Sequence, residues 1–296
     1  MNEEPLVSLI TIDFNSADYT AALIQSLKHS NYTNWELIIV DNGTNNTAKD
    51  RFKNCDQDSI FYYKPKKNLG FAGGNNYGIE KSKGEYVFFV NNDTEITPNL
   101  IGQLVSRFGS IPRLGIVSPK ILFYDSEIIQ YAGYTQLDWR MRNRAIGNKE
   151  KDGPLFNELS PTFSAHGAAM MTTRSIIKEV GLMPEEYFLY YEEMDWCQMI
   201  KKSGYKIYVD QHSVIFHKES MSIGKTSQLK VYYLNRNRIL YSRRNQPRFK
   251  NLCFICYSYL IVLPIKSLKM LMQGQVRFAK ELLKAHYWNF SHKRWE

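Results

Sequence analysis

The sequence predicts an α/β fold with a mainly parallel sheet flanked by helices on both faces. Three apolar segments rich in β-branched or aromatic residues indicate strands, and each ends on small polar residues: VSLITIDFN, WELIIVDNG and EYVFFVNND. A helical stretch from about Ala17 to His29 separates the first two strands. Strands that alternate with helices and are apolar almost throughout are typical of a parallel sheet that is covered on both sides.

The distribution of charge divides the chain into two parts. The 296 residues are 44% hydrophobic, which allows a sizeable core. From Lys225 onward, 15 Lys and Arg stand against Glu281 and Glu296, whereas the first 224 residues carry 23 basic and 27 acidic side chains. We therefore predict a main domain over residues 1–224 and a basic, helical C-terminal extension over residues 225–296.

The cysteines and the first residues predict a cytoplasmic protein. Four cysteines show no disulfide framework, and the segment MNEEPLVSLITIDF lacks the basic and apolar regions of a signal peptide. Cys253 and Cys256 form a CxxC inside an apolar run without a second pair of ligands. This arrangement favours buried thiols over a zinc site.

Polar side chains follow the three predicted strands where each strand ends. They are Asp13 and Asn15, then Asp41 and Asn42, then Asn91, Asn92 and Asp93. In open α/β sheets, ligands bind beyond the carboxyl ends of the strands. One such Asp would be an ordinary turn signal. Three groups in succession predict a ligand site.

The segment NLGFAGGNNYGI predicts a loop whose backbone bends sharply or approaches another group closely. A dinucleotide-binding fingerprint would follow the first strand directly, with an acidic residue about twenty positions later. Here Asp41 precedes Gly70, Gly73 and Gly74. The reversed order disfavours a nicotinamide-dependent dehydrogenase.

Asp93 and His217 are candidate metal ligands. A strand-end Asp, followed here by Glu95, can hold a hard divalent cation that is shared with a diphosphate. A helix cap is the alternative role for Asp93, but Thr97 can cap the helix that begins in TPNLIG. His217 ends the strand-like run YKIYVDQHSVIFH, and a single His is more often structural than a ligand.

Together these segments resemble the inverting glycosyltransferases of family 2, which have the GT-A fold, and among them the bacterial rhamnosyltransferases of surface polysaccharide synthesis. The matching segments, in chain order, are VSLITIDFN, VDNGTNNT, NLGFAGGNNYGI, VNNDTEITPNLI, PKILFYDSEIIQYAG, GAAMMTTRSIIKEVGL and YYEEMDWCQMIKKSGYKI. The resemblance implies transfer of a sugar, first of all rhamnose, from a dTDP- or UDP-linked donor. The implied acceptor is a glycan or a lipid-linked glycan.

The resemblance also implies roles for the strand-end residues. The implied donor-binding residues are Asp13, Asn15, Asp41, Asn42, Asn75, Asn76 and Asn92. Among them, Asp41 stands where relatives contact the pyrimidine base. VNND occupies the place of the DxD metal motif with Asn91 instead of the first Asp, which leaves Asp93 and His217 as ligands for Mn²⁺ or Mg²⁺.

The stretch YYEEMDWCQM, residues 190–199, matches the catalytic ED motif of the family. Acidic residues also suit the first turn of a helix, so the crowding has a structural explanation as well. The resemblance implies that Glu193 is the general base, where an Asp is usual, and that Asp195 holds the acceptor. An attacking hydroxyl must lose its proton, and neighbouring carboxylates are expected to raise the pKa of Glu193.

The extension predicts contact with a membrane surface. Its charge-free run from Asn251 to Ile265 is expected to be broken at Pro264, and fifteen residues fall short of the ~20 that cross a bilayer. Basic flanks with aromatic residues predict a helix in the membrane interface. The resemblance implies the inner face of the plasma membrane, where a family member that elongates a lipid-linked glycan has its acceptor. The alternative is that these helices pack on the main domain or on another subunit, so a dimer stays open.

Two other function classes stay open. A nucleic-acid-binding protein could use the basic, aromatic tail for phosphate contacts and stacking, although no recognised module surrounds it, and we expect no nucleic acid as partner. A sugar nucleotidyltransferase would share the sheet architecture. Its Gly-rich loop would follow the first strand, where IDFNSADY has no glycine.

Overall fold

A computed structural model describes residues 4–53, 59–218 and 227–292 of the chain. Its strands are β1 (Val7–Asp13), β2 (Trp35–Asp41), β3 (Ile60–Tyr63), β4 (Tyr86–Val90), β5 (Thr94–Ile96), β6 (Leu114–Phe123), β7 (Ile129–Tyr131), β8 (Leu159–Pro161), β9 (Ala169–Thr173) and β10 (Lys206–His217). Its helices are α1 (Ala17–Lys28), α2 (Thr47–Phe52), α3 (Gly70–Lys81), α4 (Leu100–Ser110), α5 (Arg174–Val180), α6 (Glu192–Lys202), α7 (Gln228–Asn245), α8 (Arg248–Tyr257), α9 (Leu263–Met272) and α10 (Val276–Ser291).

All ten strands join one sheet in the order β3-β2-β1-β4-β9-β6-β10-β5, with β7 on β6 and β8 on β10. The pairs β3-β2, β2-β1, β1-β4 and β6-β10 are parallel, and β9 runs antiparallel to β4 and β6. The predicted α/β class is confirmed, but the sheet is mixed. No α-helix lies between β6 and β9 in the described chain, so no crossover constrains β9 to run parallel.

Two hydrophobic cores lie on opposite faces of the sheet. Leu9 of β1 packs in the core beneath α1 and α4, whereas its neighbour Ile10 packs in the core beneath α3, α5 and α6. This follows from the alternation of side chains along a strand. Both faces are covered, as the apolar strands predict.

The Gly-rich segment is helix α3, so the predicted loop is wrong. The predicted close approach is correct, because glycines of α3 lie against the sheet. A Cβ on Gly78 would lie 2.4 Å from Ile10 Cγ2, and one on Gly74 would lie 2.9 Å from Ile12 Cδ1. Gly74 and Gly78 are therefore needed for packing, whereas Gly70, with φ of 71°, makes the predicted sharp bend at the start of α3.

The helical C-terminal extension is present, and α7 packs on the rest of the protein. Tyr187 and Met141 share a hydrophobic core with Ile239, Leu240 and Tyr241 of α7. The predicted boundary near residue 224 lies outside the described residues, so the division into two domains stays a prediction.

Helices α8 and α9 form one continuous helix, Arg248–Met272. Pro264 was expected to break this stretch, but it follows a π-helical turn at Ser258–Val262, where the regular hydrogen-bond pattern is already interrupted. Cys253 and Cys256 are exposed on this helix, so their predicted burial is wrong.

Candidate active site

The pairing of β5 with β10 brings Asp93 and His217 together. His217 lies opposite Thr94 in the antiparallel register, and Asp93 directly precedes Thr94. Both side chains are buried, and Asp93 Oδ1 lies 3.1 Å from His217 Nε2. Two residues that are 124 positions apart in the sequence therefore form one pair at the edge of the sheet, as predicted for a metal site.

Gln130 fixes the orientation of the His217 ring. Gln130 Oε1 lies 2.8 Å from His217 Nδ1. An amide oxygen can only accept, so Nδ1 carries a hydrogen, and in the neutral imidazole Nε2 presents its lone pair. Nε2 is buried and has no hydrogen-bond partner among the described residues. Two acceptors, Nε2 and the Asp93 carboxylate, thus face each other.

This arrangement fits a divalent cation. Carboxylate oxygen and imidazole nitrogen are ligands that suit Mn²⁺, and a ligand oriented by an outer hydrogen bond is usual at metal sites. No third His, Cys, Asp or Glu completes a cluster within the described ranges. Two protein ligands leave room for the oxygens of a bound diphosphate.

The residues next to Asp93 have structural roles. Lys218 Nζ pairs with Glu95 Oε1 at 2.9 Å, which accounts for Glu95. Thr97 is not the cap of α4, because Asn99 holds the N-cap position. The Thr97 hydroxyl instead donates to the Val214 carbonyl at 2.7 Å.

His166 and Gly167 connect the Asp93–His217 pair to the acidic helix α6. The rings of His166 and His217 are 6.2 Å apart, and Tyr134 stacks on His166. Burial, and next the neighbouring His217, lower the pKa of His166 to about 3. A Cβ on Gly167 would lie 3.7 Å from Glu193 Cγ. Glu193 and the Asp93–His217 pair therefore flank the same short segment.

Glu193 and Glu192 are carboxyl groups with raised pKa values at the start of α6. Burial is the main cause for both, and the Glu193 charge adds to the rise in the pKa of Glu192. One carboxyl oxygen of each is buried and has no hydrogen-bond partner in the part of the chain that the structure describes. Glu192 is buried, whereas Glu193 stays partly exposed. Of the two residues, Glu193 is thus the less buried.

The expected cause of the Glu193 shift was its acidic neighbours. The structure gives a different cause, because desolvation dominates and backbone N–H groups at the helix start oppose it. A rise in pKa is the direction of change that suits a general base.

The loop before α6 is strained and is held by α7. Phe188, Tyr190 and Tyr191 have φ angles of 60°, 69° and 77°, which are costly for residues with large side chains. The Asn237 amide donates to the carbonyls of Tyr187, Leu189 and Tyr190 at 2.7 to 2.9 Å. Helix α7 thereby fixes the backbone that positions Glu193.

Asp195 is bonded to α7. Its carboxylate accepts from Arg244 Nε at 2.7 Å and from the Asn245 amide, and it is buried. Both oxygens are thus used within the protein, which gives Asp195 a structural role. The implied role of Asp195 in holding an acceptor is untested and stays a prediction.

Asp41 is buried at the end of β2 and has three partners. Its carboxylate accepts from Gly43 N at 2.8 Å, from the Tyr62 hydroxyl, and from Lys64 Nζ at 2.8 Å. Lys64 and Tyr62 were not singled out in the sequence, and no motif marks them. If Asp41 contacts the pyrimidine base as predicted, its carboxylate binds both that base and Lys64 Nζ.

The edge of the sheet next to Asp41 is formed by Asp13, Asn15 and Asn92. Asp13 accepts from Ser16 N and from the Thr20 hydroxyl, and burial raises its pKa. The Asn92 amide donates to Ser16 and Thr20. Asn15 is exposed, with φ of 56°, and its side-chain oxygen accepts from Thr44 N. Of these three, Asn15 is the one that a ligand can reach directly.

The predicted donor residues near α3 are mostly used inside the protein. The Asn42 amide donates to the Gly70 carbonyl, and the Asn75 amide donates to the Phe71 carbonyl. Both N–H groups of Asn76 are used, by the Met183 carbonyl and by Glu185 Oε1. Donor contacts by these three residues stay predictions, and the Asn76 bonds run counter to its assignment.

The arrangement can hold a charged leaving group on one side and accept a proton on the other. The cation-fitting pair Asp93 and His217 lies at the end of β10, and the half-buried residue Glu193 lies beyond His166 and Gly167. A base and a cation on two sides of a reacting centre suit a group transfer from a diphosphate to a hydroxyl.

Comparison with known proteins gives a family match. The family model for glycosyl transferase family 2 matches residues 8–181. The low-salt glycan biosynthesis hexosyltransferase Agl10 of Haloferax volcanii is 29% identical over 214 residues, which cover 70% of this chain and 67% of the relative. The putative teichuronic acid biosynthesis glycosyltransferase TuaG of Bacillus subtilis is 31% identical over 94 residues, 31% of this chain and 37% of that protein. The chain spans two thirds or less of both relatives.

Solved structures confirm the fold. The mannosyltransferase PcManGT from Pyrobaculum calidifontis, in complex with GDP-Man and Mn²⁺, has a TM-score of 0.60 at 13% identity, covering 99% of this chain and 89% of that one. GalNAc-T7 with UDP, GalNAc and Mn²⁺ has a TM-score of 0.65 at 15% identity, covering 81% of this chain and 48% of that one. These comparisons support neither a nucleic-acid-binding protein nor a sugar nucleotidyltransferase.

Proposed function

The chain belongs to glycosyl transferase family 2, and from that premise we propose that it transfers a sugar from a nucleoside-diphosphate sugar to a hydroxyl of a growing glycan. The relatives support a place in glycan or polysaccharide biosynthesis. The proposed donor is a dTDP- or UDP-linked sugar, with rhamnose first. The proposed acceptor is a surface glycan or its lipid-linked precursor, used on the cytoplasmic side of the membrane.

The observation that carries this proposal is the position of Glu193 relative to Asp93 and His217. The three residues flank the segment His166–Gly167. One carboxyl oxygen of Glu193 is unpaired, and the pKa of this carboxyl group is raised. Glu193 removes the proton of the acceptor hydroxyl as that oxygen attacks the anomeric carbon. The bond from the anomeric carbon to the diphosphate breaks on the opposite face, so the configuration inverts.

Asp93 and His217 would hold the divalent cation, and Gln130 would keep the His217 ring in place. When bound there, Mn²⁺ or Mg²⁺ supplies positive charge to the diphosphate. Two structural neighbours contain Mn²⁺, and one of these also contains GDP-Man, which supports the proposed cofactor.

A donor screen tests the proposed function. Purified protein is incubated with Mn²⁺ and with dTDP-rhamnose, UDP-linked hexoses or GDP-mannose, and thermal stabilisation and release of the nucleoside diphosphate are measured. We expect one nucleotide class to stabilise the protein, and we expect dTDP-rhamnose to stabilise it most. We expect excess chelator, or Asp93→Asn, to remove most of the release. Full activity in chelator would contradict the metal site, and no response to any donor would contradict the function.

A further inference from the structure

The described part of the C-terminal extension exposes an unusual amount of apolar surface. Thirteen of the eighteen exposed large hydrophobic side chains in the described residues lie between residues 229 and 290. Large exposed apolar patches on a protein surface mark contacts with another protein or with a membrane. This surface has no role in the chemistry proposed for Glu193.

The apolar residues form a stripe on the helix Arg248–Met272. They recur every three or four positions and are exposed: Phe249, Leu252, Cys256, Leu260, Pro264 and Leu268. This spacing puts them on one helix face. Leu260 has 74% of its side chain exposed. The helix is long and apolar enough to cross a membrane by length and composition, and 11% of its most apolar window is buried.

The other face of this helix packs on the protein. Phe254, Ser258 and Val262 are buried and repeat every four residues. Ser258 Oγ lies 3.1 Å from Nε2 of His286 in α10, and the Tyr259 hydroxyl donates to the His286 carbonyl. The middle of the helix is therefore attached to α10.

This attachment decides between a helix that crosses a bilayer and one that lies on it. Helix α10 carries exposed Lys280 and Lys284 close to His286 in sequence. A crossing helix would draw these charges into the hydrocarbon, which is costly. A helix that lies in the plane of the interface keeps α10 on the aqueous side and buries the exposed apolar stripe in the membrane.

The positive charge around the stripe favours an anionic lipid surface as its binding partner. Between residues 227 and 292 the single acidic residue is Glu281, which pairs with Lys284. Exposed basic residues flank the stripe: Lys250, Lys266, Lys269, Arg277 and Lys280. Each basic residue near an anionic membrane adds to the attraction. A second copy of this chain would bring the same positive charges together.

We propose that the stripe from Phe249 to Leu268 docks in the plane of an anionic bilayer surface. Helix α7, which precedes it, holds the loop before Glu193. Docking therefore places the acidic helix near the membrane. The use of this position, to reach a lipid-linked acceptor, rests on the proposed function, whereas the docking itself does not.

Vesicle binding of the full chain tests the proposal without any sugar donor. The vesicles contain equal parts of phosphatidylglycerol and phosphatidylcholine, with pure phosphatidylcholine as the neutral comparison. We expect the protein to sediment with the anionic vesicles, to bind the neutral ones weakly, and to be partly released by salt. The double variant Leu260→Gln, Leu268→Gln should bind at least roughly tenfold more weakly, because two apolar side chains no longer enter the interface.

The matched control is Leu155→Gln, Leu182→Gln, which changes two exposed leucines away from the extension. It should bind like the wild type, and circular dichroism should show that both double variants are folded. Equal binding by the two double variants would overturn the proposal. Failure of the wild type to bind, with a dimer by light scattering that the Leu260 and Leu268 changes dissociate, would assign the stripe to a second copy. Retention in alkaline carbonate would indicate a spanning helix and overturn the in-plane arrangement.

Discussion

At the scale of single residues, the account depends on the environment of Glu193. The residue is half-buried, one carboxyl oxygen is buried and unpaired, and burial raises the pKa of the carboxyl group. Sequence reasoning could identify this residue because EEMD is a local pattern. It could not identify Gln130, which reaches His217 across 87 positions, because no local pattern links an amide to a distant imidazole.

The first prediction concerns pH. A general base works deprotonated, so kcat/KM falls as pH drops through the pKa of Glu193 in the free enzyme. Because this pKa is raised from 4.5, the acidic limb of the profile of kcat/KM against pH should lie above pH 4.5. The measurement is kcat/KM against pH for donor turnover. A limb at or below that value would contradict the assignment.

Glu192→Gln separates the two explanations of this shift. If burial raises the pKa of Glu193, the limb should stay within about one unit of the wild type, since the desolvated site remains. A return of the limb to about 4.5 in this variant would instead assign the shift to the neighbouring carboxylate.

At the scale of elements, α7 supports the loop that precedes Glu193. Asn237 bonds three carbonyls of a loop that contains three residues with positive φ. The sequence showed the helix and its charge, but not this contact, because the partners lie almost fifty residues apart. The strand ends were easier to predict, since the carboxyl ends of parallel strands meet at one edge.

Asn237→Ala should lower both stability and turnover. The part-buried carbonyls of Leu189 and Tyr190 lose their donor, whereas the Tyr187 carbonyl keeps Arg236 Nη2 at 2.9 Å. One unpaired buried group costs about 1–3 kcal/mol. We expect a lower free energy of unfolding, measured with denaturant, and a lower kcat, because the Glu193 backbone is less well fixed. The control is Asn235→Ala on the same helix, whose amide donates to the Val231 carbonyl of its own helix. Equal effects of the two changes would contradict the proposed support.

At the scale of the whole molecule, the division at residue 224 is visible in charge but not in packing. The net charges, −4 for residues 1–224 and +13 for residues 225–296, suggest an independent main domain. The contacts of α7 with Tyr187 and Asp195 join the two parts. Composition shows where charge changes, whereas tertiary contacts decide whether a part folds by itself.

We therefore predict that a chain ending at Lys218 loses cooperative unfolding or aggregates. It would expose the apolar surface that α7 covers and would leave the Asp195 carboxylate buried without Arg244 and Asn245. Size-exclusion chromatography and thermal unfolding of this chain check the result against the full chain. A soluble, cooperatively folded fragment that still binds the donor would contradict it and support two separate domains.

The most direct test of the central claim compares Glu193→Gln with Asp195→Asn in one assay of transfer and nucleotide binding. The account predicts that Glu193→Gln lowers turnover by roughly 10²–10⁴-fold while the Kd for the nucleotide stays near that of the wild type, because the base is lost and the shape is kept. Asp195→Asn should lower Tm, because the bond to Arg244 weakens, and its folded fraction should keep measurable turnover. Near wild-type turnover in Glu193→Gln, together with an inactive but folded Asp195→Asn, would contradict the claim.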